Sequence, residues 1–578
     1  MEKRAKAFFT KIYNSKFWKK EGFWHYTIIF ICALLFCGLY LFIGAQGYFV
    51  GGDDALFHIS RYFSVLRGWL DGQVVPQIDP TFLSGFGHSW NIFYGPLPAY
   101  AATVVFRGLL NWQLSIALVI LMAIFLTGVF AYRFMKDIFY AMKRGNVAAL
   151  IGAIVYIWSP YLIIDLYGRA AIGEVFAFIF MPVVFHGLWK LVNSKKNGIG
   201  LLVVGMVGLI LSHSLSAVVA LIFGSLFLLL NIKKIIPIWK KFIKNILLAI
   251  VIALGLTAFF VLPFIENMSL GIYAINNDWF AENIMYFNSE SINNNRLAIG
   301  NSWLGTRDFS FYFIVIMAVG SATTAIFLNK KDEKKVEIKK YLLLLIPALI
   351  LTTTLIDWRF IPDLFYTVQF PTRFLGIASL LVAIIAGYGI IWLVERIKNK
   401  NLRGAISILF ILLVTISGLI RIPWDVDKNI NADNLSTTTN TGLNEYYTMG
   451  FLKDGFSSQL ADSGKKYTIY GDATVSDFEF DPNSSKRKFH VSSNNESAVE
   501  LSQIYYSGFQ AIDENGSMLE ITYSDNGLVK IIIPAGFSGN VVSGFSNSAV
   551  TNIGLAVGIL TLFIVVAFST TKRTRLKK

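Results

Sequence analysis

Apolar and polar positions follow two different rhythms along this chain. Over most of its length, apolar runs of about twenty residues, long enough as helix to cross a bilayer core, are separated by short polar connections. They predict spans near Trp24–Ala45, Gln113–Phe134, Val147–Ile164, Val175–Val192, Ile199–Ser212 and Ser216–Asn231. Further spans are expected near Asn245–Phe264, Phe311–Leu328, Tyr341–Ile356, Phe374–Val394, Gly404–Ile420 and Ile553–Phe568, about twelve in all. From Arg421 to about Ser546 the rhythm changes. Polar and apolar residues alternate one by one, as in KYTIYGDATVSDFEF, KRKFHVSS, LEITYS and LVKIIIP, with Gly- and Asn-rich turns between them. That alternation predicts a small antiparallel β-domain.

The expected fold is therefore a polytopic α-helical membrane protein with a C-terminal β-rich domain before the last span. Residues 1–420 form the transmembrane module, with 46–112 as its first long loop. Residues 421–546 form the β-domain, and 547–578 the final helix and a basic tail. The chain has 578 residues, 55% of them hydrophobic, and a mean hydropathy of +0.56. Its net charge of +15 sits in short clusters between apolar runs, where it orients helices rather than binding nucleic acid. Both ends are basic (MEKRAK, KRTRLKK), so both are expected in the cytoplasm, with an even number of spans. Leaving Ile92–Leu110 as an interfacial or re-entrant segment puts Arg133, Lys136, Lys143 and Arg144 on that same side. The Gly95-Pro96-Leu97-Pro98 start of that segment suits a helix packed at the membrane surface. Cys32 and Cys37 lie inside the first apolar run and build no disulfide framework or zinc site.

The outward side then carries the candidate chemistry. Directly after the first run comes GGDDALFHISR. A helix starting at the glycines sets Asp54, His58 and Arg61 at i, i+4 and i+7 on one face. A carboxylate, an imidazole and a guanidinium at the mouth of a membrane protein fit chemistry on a charged lipid headgroup; an N-cap aspartate and a solvated face account for the same pattern. Asp53 either caps the helix, orients Asp54, or shares a divalent cation (Mg or Mn) with it through hard oxygen ligands. In DLYGRAAIGE, Arg169 either neutralises Asp165 and Glu174 or clamps a phosphate. His213, in LSHSLS, is a capping residue or a ligand. Arg373, after Pro371, snorkels or meets an anion. No nucleotide-binding glycine motif stands out.

Taken together, GGDDALFHISR, VVPQIDPTFLSGFGHSWNIFYGPLPAY, SPYLIIDLYGRAAIGEVFAFIFMP, LSHSLS, AFFVLPFIE, VQFPTRFL and the late QIYYSGFQAIDENG resemble the bacterial YfhO-like family. They also resemble its sister group of 6-pyruvoyl-tetrahydropterin synthase-related membrane proteins; that label implies no pterin chemistry here. Both groups resemble glycosyltransferases of the GT-C superfamily. The resemblance implies a catalytic acidic residue in the first outward loop and a sugar donor carried on polyprenyl phosphate. It implies Asp54 as that acid, with His58, Tyr167 and Glu174 in support and Arg169, His213 and Arg373 toward the donor phosphate. Arg61, on the Asp54 face of its helix, and Tyr94 join them as first-loop candidates for phosphate and substrate. The acceptor would be a cell-envelope glycopolymer such as teichoic acid or wall polysaccharide. A separate glycosyltransferase would load the carrier and a flippase would turn it outward. Two departures stand out: Gln77 replaces an expected basic residue, and NEYYT lacks an expected proline. A lipid-linked glycan transporter and a non-enzymatic wall-polymer-binding protein are the alternative classes.

Overall fold

The computed structural model describes residues 21–109, 111–283, 289–294, 319–320, 334–353, 355–423, 429–431, 444–453 and 464–575. Among these, seven helices are long and apolar enough to cross a membrane: Trp112–Ile138, Gly145–Gly168, Ile172–Val192, Ile232–Met268, Pro371–Val394, Lys400–Arg421 and Ala549–Phe568. The first apolar run makes an eighth if Gly22–Phe36 and Gly38–Ala45, bent by 56°, count as one span. Twelve is not reached among the described residues. Gly198–Ser212 and Ser214–Leu230 stand at the expected positions but fall short of the length needed. Lys334–Ile350, 17 residues with Pro347 inside, replaces the span expected at Tyr341–Ile356. The span expected at Phe311–Leu328 lies almost wholly outside the described residues.

The first loop opens with strand β1 (Tyr48–Val50), which pairs antiparallel with β2 (Asn429–Asn431). The Ala55–Leu70 helix follows and buries Ala55, His58, Ile59, Tyr62 and Val65 along one stripe. Leu97–Leu109 is helical for 13 residues, about 20 Å at 1.5 Å per residue, and is too short to span. It packs between the Ala55–Leu70 and Trp112–Ile138 helices, and Thr103 Oγ1 donates to Tyr62 O at 3.1 Å.

The late alternation folds as two antiparallel sheets. One has the strand order β3 (Tyr467–Tyr470), β6 (Ser497–Ile504), β10 (Leu528–Ile533), β9 (Ile521–Tyr523). The other runs β4 (Thr474–Phe480), β5 (Arg487–Ser492), β11 (Ser538–Phe545), β7 (Phe509–Asp513), β8 (Met518–Leu519). Their core is not their own. Phe82, Phe86, Trp90 and Phe93 of the first loop join Phe489, Val499, Leu501 and Phe545 in one hydrophobic cluster. Polar ties reinforce the union: Arg487 Nη2 donates to Gly85 O at 2.8 Å, Ser484 Oγ to Asp71 Oδ1 at 2.8 Å, and Ile504 N to Phe86 O at 2.9 Å. His88 Nδ1 lies 2.9 Å from the Tyr506 hydroxyl, which donates to Tyr446 O at 3.0 Å. The donor there must be His88, because the Tyr506 proton is already engaged.

Gln77 is part of this junction. Its amide donates to Thr551 Oγ1 (3.1 Å) and accepts from Asn547 Nδ2 (3.0 Å), while Asn547 also pairs with both backbone groups of Val75. A neutral amide therefore ties the first loop to the start of the last helix, where a basic side chain could donate to Thr551 but not accept from Asn547.

Candidate functional site

The loops carrying Asp54, Arg169, His213 and Arg373 meet at one end of the helical bundle. The first contact is between backbones. Asp54 N donates to Arg169 O at 2.7 Å, and Gly52 lies so close that a Cβ there would stand 2.8 Å from Ala170. The glycine before the acidic pair is thus required for close approach. Gly52→Ala should push Asp54 off Arg169. Because the clash is with backbone atoms of Arg169 and Ala170, the unfolding temperature should fall as well, and an unchanged one would show that the close approach is not needed.

The second loop is held in strain. Ile164–Gly168 is a π-helical turn, and buried Ala170 has φ +54°. Such conformations cost on the order of 1–3 kcal/mol and persist where the surroundings over-determine them. They aim Arg169 at three carboxylates. Its Nη1 is 3.1 Å from both Asp165 Oδ1 and Glu174 Oε2, and its Nη2 is 3.5 Å from Asp54 Oδ2. Glu174 also accepts from the Tyr161 hydroxyl at 2.7 Å and lies 3.7 Å from Arg373 Nε. Arg373 is fixed by Nη1 donating to Val368 O (2.7 Å) and Gln369 Oε1 (3.0 Å), with Gln369 itself at φ +65°. Its Nε is buried without a hydrogen-bond partner.

Exposure separates the carboxylates. Asp165 and Glu174 are 0% and 3% exposed, while Asp54 leaves 42% of its side chain open. Asp54 has helix N-cap position but makes no side-chain cap bond, so capping does not account for it. Desolvation in this recess pushes its pKa above the ordinary carboxylate range, opposed by Arg169 and Arg373 and assisted by Asp53 and Glu174. For Arg169, burial works to lower the pKa, but Glu174, Asp165, Tyr161 and Asp54 outweigh it and keep the guanidinium charged.

His58 and His213 are both buried and neutral. Desolvation, then Arg61, His213 and Arg169, hold His58 well below the usual imidazole range; desolvation brings His213 down to about 3. His213 caps the Ser214–Leu230 helix by accepting from Ser216 N at 3.3 Å, so the capping expectation holds for it. Tyr94 packs beside both histidines, with ring centroids 5.7 Å from His58 and 5.9 Å from His213.

Other expected residues are drawn elsewhere. Arg61 is fully buried under the Tyr94 ring (4.3 Å) and donates to the carbonyls of Gly95 (2.7 Å) and Tyr94 (3.2 Å). It braces that turn and makes no contact with the carboxylate cluster. Tyr167 hydrogen-bonds to Phe36 O and packs with tilted rings against Phe36 and Tyr40, within the bundle. Asp53 is exposed. No three His, Cys, Asp or Glu side chains among the described residues stand close enough to hold a metal ion. A divalent cation on Asp53 and Asp54 would therefore complete its shell from water or substrate oxygens. Tyr161 and Gln369, which hold Glu174 and Arg373, were not anticipated; their places just after Pro160 and just before Pro371 were the available signal.

The model of the family described as bacterial membrane protein YfhO matches residues 89–452, more than half of the chain. The chain belongs to the YfhO family. Within this YfhO-family chain the match includes Tyr94, Tyr167, Arg169, Glu174, His213 and Arg373, while Asp53, Asp54, His58 and Arg61 precede it. An uncharacterized protein of Lactococcus lactis subsp. cremoris (strain MG1363) is 27% identical over 619 residues, covering 97% of both chains. Among solved structures, the chain is similar to the apo oligosaccharyltransferase of Archaeoglobus fulgidus (12% identity, TM-score 0.41, 70% of this chain and 56% of that one). It is also similar to the arabinofuranosyltransferase AftD from Mycobacteria (11% identity, TM-score 0.44, 90% of this chain and 40% of that one). The YfhO-family chain thus spans about half the length of the solved structures it matches.

Proposed function

We propose that this YfhO-family chain is a membrane glycosyltransferase with a GT-C-like plan. It moves a sugar from a polyprenyl-phosphate-linked donor to a hydroxyl of an extracytoplasmic cell-envelope acceptor, a teichoic acid or wall polysaccharide. The observation that carries this reading is Asp54: a solvent-open carboxylate of raised pKa beside two guanidinium groups, backed by buried carboxylates that keep those cations in place. Asp54 removes the proton from the acceptor hydroxyl as its oxygen attacks the anomeric carbon. The bond from that carbon to the phosphate oxygen breaks, and the electron pair leaves with the phosphate. Arg373, whose Nε has no hydrogen-bond partner, is the cation best placed to receive that charge. Arg169 already serves three carboxylates, so its part is to position Asp54 and Glu174.

The active end then faces outward at the plasma membrane, with both termini in the cytoplasm. The transporter alternative requires ionisable groups midway along several spans. Here Glu174 stands in the first turn of its helix and Arg373 directly before the Phe374–Val394 helix, which favours surface chemistry. Membranes containing the protein, supplied with a labelled polyprenyl-phosphate sugar, test the reading: transfer to envelope polymer is expected, and movement of donor without transfer would support the transporter. Arg373→Ala should weaken donor affinity roughly ten- to hundredfold. Unchanged affinity would remove Arg373 from the phosphate.

A further inference from the structure

The Ile232–Met268 element is longer than a bilayer needs. Its 37 residues reach about 55 Å as helix, against about 30 Å of hydrocarbon. One end is fixed: Phe264 and Met268 pack against the cluster that also takes in Phe57, one turn from Asp54. No charge occurs from Asn245 to Phe264, a stretch long enough to cross the core. Residues 232–244 therefore project past the core at the opposite end of the bundle.

That projection has unlike faces. Ile235 and Phe242 are buried against the bundle. Ile232, Ile236, Trp239 and Ile243 form an apolar strip that leaves 46–60% of each residue open. A single 3-10 turn at Ile236–Ile238, around Pro237, joins its two helical parts. Lys240 and Lys244 are one turn apart and follow Trp239 and Ile243 by one position each, so they run beside the strip. Lys233 and Lys241 are exposed as well. No Asp or Glu occurs between Asn231 and Glu266.

Other cations at this end are met within the protein. Lys190 Nζ lies 2.5 Å from Asp137 Oδ2, Arg396 Nη1 donates to Trp392 O at 2.8 Å, and Lys340 Nζ donates to Asn231 Oδ1 at 2.5 Å. Lys233, Lys240, Lys241 and Lys244 have no ion pair among the described residues; Lys240 Nζ lies over the Trp239 ring, 5.7 Å from its centroid. Orienting a span needs positive charge on one side, but not an open apolar strip beside it. Indole and lysine at the edge of the hydrocarbon match a phospholipid layer. The ring sits at headgroup level, the ammonium groups meet phosphate, and the lysine stems stay on the apolar strip.

We propose that this stretch, centred on Trp239, Lys240 and Lys244, binds anionic phospholipid headgroups at the end of the protein opposite Asp54. From Lys233 to Lys244 the row of cations runs about 16 Å along the helix, more than one phosphate occupies. The occupant is accordingly the headgroup layer of the surrounding leaflet, with acyl chains along Trp239, Ile243 and the exposed Leu247, and not a single carrier-lipid phosphate. The inference is independent of the glycosyl-transfer reading.

The test takes the purified full-length protein in detergent and counts retained lipid by native mass spectrometry. The probes are dioleoyl phosphatidylglycerol, dioleoyl phosphatidylcholine, polyprenyl phosphate and inorganic phosphate. Phosphatidylglycerol should be retained at least about tenfold over phosphatidylcholine, each lysine contributing on the order of fivefold. Lys240→Gln/Lys241→Gln/Lys244→Gln should remove most of that preference. Trp239→Ala keeps every charge and should lower phosphatidylglycerol retention about three- to tenfold, which decides the matter if the glutamine variant does not fold. Lys398→Gln/Lys400→Gln, an equal kind of charge loss at the same end, should leave retention unchanged. The proposal is overturned if the two phospholipids are retained alike, or if the Trp239 and triple-lysine variants retain phosphatidylglycerol as wild type does. It is also overturned if Lys398→Gln/Lys400→Gln loses as much, or if polyprenyl or inorganic phosphate displaces phosphatidylglycerol as readily as more of that lipid does.

Discussion

If the proposed glycosyl transfer is right, Asp54→Asn should lower sugar transfer by about 10²–10⁴-fold, as removal of a general base does, while expression and membrane insertion stay normal. The substitution keeps shape and removes only the charge and the basic oxygen. It touches no cap bond, because Asp54 makes none, and its 3.5 Å contact with Arg169 is the longest of that guanidinium's three. A partly exposed pair of this kind contributes little to stability, so the unfolding temperature should move by only a few degrees. The pH profile gives an independent reading. A base works only when deprotonated, and desolvation holds the Asp54 pKa above its ordinary 3.8. Activity in the wild-type protein should therefore fall, as pH is lowered, at a point above that value. An acid limb at or below it, or full activity in Asp54→Asn, would take Asp54 out of the chemistry.

Arg169→Ala has the opposite signature. Asp165 and Glu174 are buried and share Arg169 Nη1 at 3.1 Å, so removing the guanidinium leaves carboxylates without their main counter-charge. Breaking a buried pair from one side costs about 3–5 kcal/mol, much more than a surface pair. The expected result is a large fall in thermal stability in detergent, with activity lost because the seat of Asp54 goes too. Arg169→Lys should recover part of the stability, since it keeps the charge but cannot reach three carboxylates in a planar fork. If Arg169→Ala unfolds like wild type and loses only donor affinity, then Arg169 is a phosphate clamp and not a hub.

The contrast between these two residues marks how far the sequence could be read. Span positions were legible because apolar runs are local: Ile172–Val192, Pro371–Val394 and Lys400–Arg421 begin within four residues of where hydropathy puts them. Strands were legible for the same reason, with β5 and β11 alternating buried and open positions. Arg169 and Glu174 stood out because ionisable groups at span ends need partners, and Asp54 because it opens the charged motif of the first loop; the structure brings them together with Arg373. Arg61 was misjudged because helical spacing gives a face but not what covers it; the cover is the Tyr94–Gly95 turn, some thirty residues on. Tyr167, expected at the site only from the family resemblance, lies on the π-helical turn and bonds back to Phe36 O instead.

Because Phe82, Trp90 and Phe93 complete the interior of the two sheets, the β-rich part is not a detachable module. Excised at its apparent boundaries and secreted alone, it would show water a large apolar scar and should aggregate. A chimera that trades this part between relatives must carry the first loop along with it. Changes in polymer preference and changes near Asp54 would then be inherited as one parcel.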